Sequence, residues 1–490
     1  MSTQAPTVTA REVSAPAALA AGLNARLPST GRVLLLDDGR LAGLEPARDE
    51  VERRSARDSV APESLDPGPW RAVVLSCPPP AAGWHPLLAA IHRRLEPRGR
   101  LLLLLPSGAG AGSGTAAPEA IGSLYESAFC LLREEELGEG LLLEARADDH
   151  LVRSYRDGDE EAILRLFAAS FSPPRDLGHW RWKYRDNPFG ALAISCAFTA
   201  DQELVAHYAA YPVRFRRARR DGGETLLCHQ VGDTMTDRRH RDVGRGPTSL
   251  LGRTARHFYA RRCEGRVAFN YGFNTGNIQR FSQLFVGARK VWDVELSRCG
   301  ARDLRLEPPR RFRPYRTSRV DRLDAAFDRL FEQVAPDYGL LIERLRPYLD
   351  WRYLRCPDRD YHLIRVDRGA RLVGWGVFRR EGDRLLWGDA LIDPGHRGAT
   401  SALLRHACGI AATRPSAARG GAVSQAAPVL GVEGWFSRHP QWWSELLGEL
   451  GFTAAPEPQA LGMVYVPFLE DPGAELESAY YLAMGDGDLF

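Results

Sequence analysis

The stretch "DRRHRDVGRGPTSLL" (residues 237–251) decides how this chain reads. It follows "CHQVGDTMT", which reads as a strand, and it leads into "PTSLLGRTARHFYARR", with apolar residues at 250, 251, 255, 258 and 259. That spacing predicts a helix. Between them lies Arg241-Asp242-Val243-Gly244-Arg245-Gly246, of the form R-x-x-G-x-G. A loop of this kind can turn successive backbone N–H groups toward a pyrophosphate. Its glycines let the backbone come close, and the helix N-terminus adds partial positive charge. Pro247 suits the first helical turn, where no N–H is needed. Arg371 to Gly376 repeats the pattern as "RLVGWG", but inside a strand with no helix after it. Context separates the two.

A second stretch, "DPGHRGATSALL" (residues 393–404), resembles the first. Both open on Asp, carry His-Arg three residues later and run into an apolar segment. Thr400 and Ala402 stand where Gly244 and Gly246 stand. A β-branched side chain at 400 would crowd a phosphate, so the second loop is expected to be non-catalytic. Upstream, "WKYRDNP" (182–188) matches "WRYLRCP" (351–357). Two different elements recur in one order at similar offsets, which argues for an internal duplication. The Arg/Pro-rich stretch 305–320 reads as the linker between the copies.

Outward from the first copy, "DGDEEAILRLFAASF" predicts an amphipathic helix, with a cap at Asp157 or Asp159 and apolar residues at 163, 166, 167 and 171. Residues 192–236 read as three strands with turns at "ADQE" and "RDGGE". Residues 151–490 resemble the tandem-domain GNAT acyltransferases. The resemblance rests on the helical start, "HWRWKYRDNP", the loop 241–246, and "YGFNTGNIQRFSQLFVGARKV" after it. It implies that Thr234, Met235 and Thr236 hold the pantetheine arm and acyl carbonyl. It also implies that Arg241, Val243, Gly244, Arg245 and Gly246 hold the pyrophosphate, with Asn277 after the fifth strand.

The implied donor is acetyl-CoA or another acyl-CoA. The implied acceptor is a small-molecule or peptide amine, with an acyl carrier protein or aminoacyl-tRNA as alternative donor and a non-catalytic scaffold as a further alternative. The basic tracts "RFRRARR" and "RRFRPYR" motivate the tRNA version. Asp233 and His229 are the candidate bases, with Asp237 beside them; His229 has a suitable ordinary pKa. Trp182, Tyr184 and Asp186 are candidates to line the acceptor site. Leu284 and Phe285 stand where the family often places a tyrosine acid, which leaves Tyr271 or water for that role.

Residues 1–150 begin with an Ala/Thr/Pro-rich stretch to about residue 28, expected to be partly disordered. "GRVLLLDDGRLAG", "WRAVVLSCPPP", "HPLLAAIHRRLEP" and "GRLLLLLPS" then alternate strand and helix, which argues for a parallel sheet. This region resembles a class I methyltransferase domain, but Gly39 and Gly43 are poorly spaced, and Arg40 and Leu41 intrude. A degenerate Rossmann-like domain that does not use S-adenosylmethionine is expected. The expected organisation is therefore α/β overall, with a Rossmann-like domain over 1–150 and two GNAT-fold α+β domains over 151–310 and 321–490.

Composition is that of an ordinary globular protein: 490 residues, 44% hydrophobic, 26% charged, net charge +3. Only Lys183 and Lys290 are lysines; arginine carries nearly all the positive charge. Eight cysteines fall without any C-x-x-C spacing, so reduced thiols and no metal are expected. No apolar run reaches membrane-spanning length and no basic-then-apolar leader stands at the start, so a cytoplasmic protein without membrane contact is expected.

Overall fold

The computed structural model describes residues 15–39, 41, 44, 50–56, 65, 68–77, 80–106, 113–137, 140–308, 314–412 and 429–490. Arg40 and Gly43, the first half of the Gly/Ser-rich loop (107–112) and residues 309–313 of the linker lie outside these, as do residues 1–14. The chain is α/β and forms two compact units. One comprises Met1–Ser154, Ser195–His207 and Thr236–Glu264. The other comprises Tyr155–Ile194, Tyr208–Met235 and Gly265–Phe490.

In the first unit a six-stranded sheet contains β1 (Val33–Asp37), β2 (Val51–Ser55), β3 (Trp70–Ser76), β4 (Leu95–Pro106), β5 (Phe129–Leu137) and β6 (Gly140–Ala147), in the order β2-β1-β3-β4-β6-β5. β2, β1, β3 and β4 are parallel, and β6 lies antiparallel between β4 and β5. The leucine run explains its two buried faces. Leu101, Leu103 and Leu105 join one apolar cluster, and Leu102 and Leu104 join the other, as the two-residue period of a strand requires. Residues 15–24 of the Ala/Thr/Pro-rich start form a helix; residues 1–14 lie outside the described residues. Leu23 and Leu27, one turn apart, bury against Val33 and Leu35 and hold it there.

The remaining strands are β7 (Leu151–Ser154), β8 (Ala193–Phe198), β9 (Leu204–Arg217), β10 (Glu224–Thr236), β11 (Phe269–Asn274), β12 (Arg289–Asp293), β13 (Glu295–Gly300), β14 (Arg316–Arg319), β15 (Leu340–Ile342), β16 (His362–Arg368), β17 (Arg371–Glu381), β18 (Arg384–Ile392), β19 (Gly431–Trp435), β20 (Thr453–Pro456) and β21 (Gly462–Pro467). The second unit contains two sheet regions. One runs β12-β21-β11-β10-β9, with β15 also on β9; the other runs β14-β16-β17-β18-β19-β13-β20. Sheet membership departs from chain order. β13 pairs with β19 and β20, while β21 pairs with β11 and β12.

The matching tryptophans meet. Trp182 Nε1 donates to the carbonyl of Trp351 at 2.6 Å, and Trp351 Nε1 donates to the carbonyl of Trp182 at 2.7 Å. Their rings stack with centroids 5.2 Å apart. The exchange is reciprocal between residues 169 apart.

Candidate active site

The loop of the opening stretch belongs to the first unit. Asp237 accepts from the backbone N–H of Arg239, and His240 N–H donates to the Asp237 carbonyl at 3.0 Å, which closes a tight turn. Gly244 and Gly246 follow at φ 71° and 54°. A Cβ on Gly244 would lie 2.1 Å from the Thr248 carbonyl oxygen, so only glycine fits. Ser249 caps the helix Leu250–Phe258 by accepting from Gly252 N–H at 3.1 Å. Arg253, almost fully buried, donates to the Thr248 carbonyl at 2.6 Å and to Asp148 at 2.8 Å, pinning the loop's far end. The Thr236 hydroxyl is buried without a hydrogen-bond partner among the described residues.

The second unit contains a cleft of about 690 Å³. Its origin lies in strand pairing. β10 and β11 are parallel over only His229↔Asn270 and Gln230↔Tyr271. Beyond that point β11 continues along β21, whereas β10 turns with Asp233 at φ 53°. Val231, Gly232, Asp233 and Thr234 on one strand, and Phe273 and Asn274 on the other, line the opening. Phe167 and Phe171 reach it from the helix Glu160–Ser170. Phe171, expected on that helix's buried face, lies past its end and is 43% exposed.

Charged groups are paired on the cleft floor. Asp233 accepts from Tyr184 Oη at 2.6 Å and from Arg175, and Lys183 Nζ lies 3.1 Å from its other oxygen. Lys183 also donates to Asp488 at 2.9 Å. A Cβ on Gly232 would meet Asp488 Oδ2 at 2.3 Å, so glycine there makes room for that carboxylate. Burial, then the Asp233 charge, pushes the Tyr184 phenol well above its usual value and keeps it a donor.

The same constellation occurs again, 169 and 156 residues later. Arg344 donates to Asp389 at 2.8 Å and Tyr353 donates to Asp389 at 2.8 Å, all of them buried. An arrangement that persists where no surface is exposed serves the fold. Asp233, expected as a base, thus accepts from Arg175 and Tyr184 on one oxygen and has Lys183 beside the other. Arg175 and Arg344 carry a signal in the sequence, since they share the tryptophans' offset, but they lie outside the W-[KR]-Y match.

The other expected residues are dispersed. Thr236, Arg241, Val243, Gly244, Arg245 and Gly246 fall in the first unit, and Thr234, Met235 and Asn277 in the second. Thr234 lines the cleft; Met235 is buried; Asn277 is exposed on the helix Gly276–Phe285. Trp182 lines the cleft as well as stacking on Trp351, whereas Asp186 is exposed outside the lining. His229 is buried and absent from the lining. Tyr271 is buried and donates to the Asp486 carbonyl at 2.9 Å. Leu284 and Phe285 are exposed. In the basic tract, Arg216 pairs with Glu332 and Glu343, Arg217 with Glu224, Glu470 and Glu475, and Arg220 with Asp337.

In the first unit, Asp37 at the end of β1 accepts from its own turn, Gly39 N–H and Leu41 N–H, both at 2.9 Å. Leu41 is buried in the core. All eight cysteines are free thiols. Among the described residues no His/Cys/Asp/Glu group converges to hold a metal ion, and no helix is long and apolar enough to cross a membrane.

No protein-family model matches the chain. No curated protein sequence matches it either. Among solved structures, it is similar to a conserved protein of unknown function from Enterococcus faecalis V583, a probable N-acyltransferase, at 12% identity over 64% of this chain and 72% of that one, with a TM-score of 0.47. It is similar to a GCN5-related N-acetyltransferase from Kribbella flavida at 15% identity, over 66% and 72% of the two chains, TM-score 0.47. A GCN5-related N-acetyltransferase from Anabaena variabilis ATCC 29413 gives 10% identity, 64% and 72% coverage and a TM-score of 0.45.

Proposed function

We propose that this chain is a GNAT-type N-acyltransferase that moves an acyl group from acyl-CoA directly to an amine. The observation that carries this reading is the divergence of β10 from β11 at a left-handed Asp233. Backbone groups of Val231 to Thr234 leave the ladder and face a cleft, where an extended pantetheine arm can take the place of the lost strand. The positive-φ glycines at 244 and 246, before a capped helix, suit a pyrophosphate. Thr234, Met235 and Thr236 remain the candidates for the pantetheine arm, and Arg241, Val243, Gly244, Arg245, Gly246 and Asn277 the candidates for the rest of the cofactor. The cleft has room for an acyl tip and a small amine, or the end of a peptide.

The ion pairs of Arg216, Arg217 and Arg220 favour acyl-CoA over tRNA as donor, because those guanidinium groups already have carboxylate partners. The repeated Asp turn and the Trp182–Trp351 exchange support a tandem arrangement over 151–310 and 321–490. The parallel strands with β6 inserted antiparallel support a Rossmann-like, methyltransferase-related domain over 1–150. A cytoplasmic location fits the free thiols.

Calorimetric titration with acetyl-CoA tests the reading. The expected result is saturable 1:1 binding that Gly244→Val removes; heat of binding absent from the native chain would overturn it.

A further inference from the structure

Resting on that acyl-transfer reading, we infer that His179, oriented by Asp358, is the general base that takes the proton from the attacking amine. His179 is the third residue of the helix Leu177–Tyr184, where its backbone N–H donates to the capping Asp176 at 2.7 Å. Its side chain lines the cleft that Asp233 and Thr234 line, and is 12% exposed. Nδ1 lies 2.8 Å from Asp358 Oδ2, though its N–H direction falls short of that oxygen in this conformation. Trp182 packs edge-on against the ring, with centroids 5.0 Å apart. Among the described residues no hydrogen bond engages Nε2. An imidazole with Nδ1–H toward a carboxylate presents its Nε2 lone pair, which is the form a base needs.

The duplication gives an independent reason. The residue 169 positions after His179 is Tyr348, and the residue 169 positions before Asp358 is Phe189. Those two stack on each other, with centroids 6.3 Å apart and planes 11° apart. One contact of the two-fold pair is thus aromatic, with Tyr348 buried. The other is an ionisable dyad, and it stands where the cleft is. Arg175, Tyr184 and Asp233 recur in the second copy and answer to the fold; His179 and Asp358 do not recur.

Other cleft groups are committed. Asp233 holds three donors, Asp488 is held by Lys183 and by Gln230 at 3.4 Å, and burial pushes the Cys356 thiol up to about 11. Around His179 stand Asp358 and Cys356 on one segment and Arg175, Trp182 and Lys183 on its own. Burial lowers the His179 pKa, Arg175 and Lys183 lower it further, and Asp358 opposes them. The imidazole is therefore neutral at neutral pH and becomes cationic as the pH falls. In the step itself, the amine nitrogen bonds to the thioester carbon and its proton passes to Nε2. The carbon–sulfur bond then breaks, and the leaving thiolate takes up that proton to give CoA thiol and amide.

Release of CoA thiol from acetyl-CoA by the full-length chain is the test, with water as acceptor and again with tryptamine. Calorimetry of acetyl-CoA binding runs alongside. His179→Gln and His179→Ala are expected to bind acetyl-CoA as the native chain does and to lose about 10²-fold in kcat, with the acid limb of the pH profile gone. Added imidazole is expected to restore part of the rate of His179→Ala, and Asp358→Asn to lose about 10-fold. A His179→Gln variant within threefold of native kcat, with the same pH profile, would overturn the dyad and leave acyl transfer standing. Acetyl-CoA binding with no thiol release to either acceptor would overturn acyl transfer, and the dyad with it. A native chain that does not bind acetyl-CoA overturns the acyl-transfer reading itself.

Discussion

Arg175–Asp233–Tyr184 and Arg344–Asp389–Tyr353 are the same three side chains making the same contacts, yet one set borders a cleft and the other is sealed. The difference lies in what fills the gap beside each aspartate. At Asp389 it is the C-terminal segment: Asp486 accepts from Arg344 at 2.8 Å, and a Cβ on Gly388 would lie 1.9 Å from the Phe490 ring. At Asp233 the neighbours are Lys183, Asp488 and open volume. The two turns show the same history. Asp393 accepts from Gly395 N–H and the His396 N–H reaches the Asp393 carbonyl at 2.7 Å, matching Asp237 and His240. After that turn, however, the helix begins at once with Ala399, and Thr400 is buried. The first copy inserts its two positive-φ glycines before the helix starts at Leu250. On the acyl-transfer proposal, the shared residues would build the scaffold and the departures would mark the site.

The comparison can be broken most severely at Arg344. Arg344→Met would leave Asp389 and Asp486 buried without their cation, at a cost of about 3–5 kcal/mol; the partly exposed Arg175→Met should lose less. Urea denaturation of the full chain measures both, and equal losses would end the distinction between sealed and open copies. Next comes the loop. Gly244→Val should weaken acetyl-CoA binding by about 100-fold or more, whereas Thr400→Gly with Ala402→Gly should leave it unchanged; calorimetry decides, with about 1.4 kcal/mol per tenfold.

The tryptophan exchange should give a smaller effect. Trp182→Phe or Trp351→Phe each removes one N–H from a buried carbonyl, worth about 1–3 kcal/mol. A double-mutant cycle should show coupling of about 0.5–3 kcal/mol, and strict additivity would deny that the pair acts as one unit. A further effect is a pH dependence. Burial pushes Asp486 up to about 6, despite Arg344. An acid with a raised folded value adds stability below its unfolded value, about 4, and loses it as pH rises through the folded one. Stability should therefore decline from about pH 4 to above 6, and Asp486→Asn should flatten that decline.

Much of this is legible in the residues alone. Leu101 to Leu105 announce a buried strand because five consecutive leucines suit a sheet covered on both faces. Gly244 stands out because a strand–loop–helix context gives a glycine a job that its frequency alone does not. The Asp turns and the W-[KR]-Y segments recur at similar offsets, which is visible without the structure. The role of Asp233 is not legible, since a lone acid on a strand looks alike whether it meets substrate or an arginine 58 residues earlier. His179 is hidden for the same reason: its partner Asp358 lies on the other copy.

By itself the sequence determined the local elements and the recurring offsets, because periodicity, glycine and caps act over a few residues. Only the tertiary structure decided which acid is tied and which histidine faces the cleft. Those outcomes depend on β13 and β21 changing sheets, on β10 leaving β11 after Gln230, and on the two-fold meeting of segments 169 residues apart. Such long-range pairings are set by packing between segments, which no short stretch of sequence encodes.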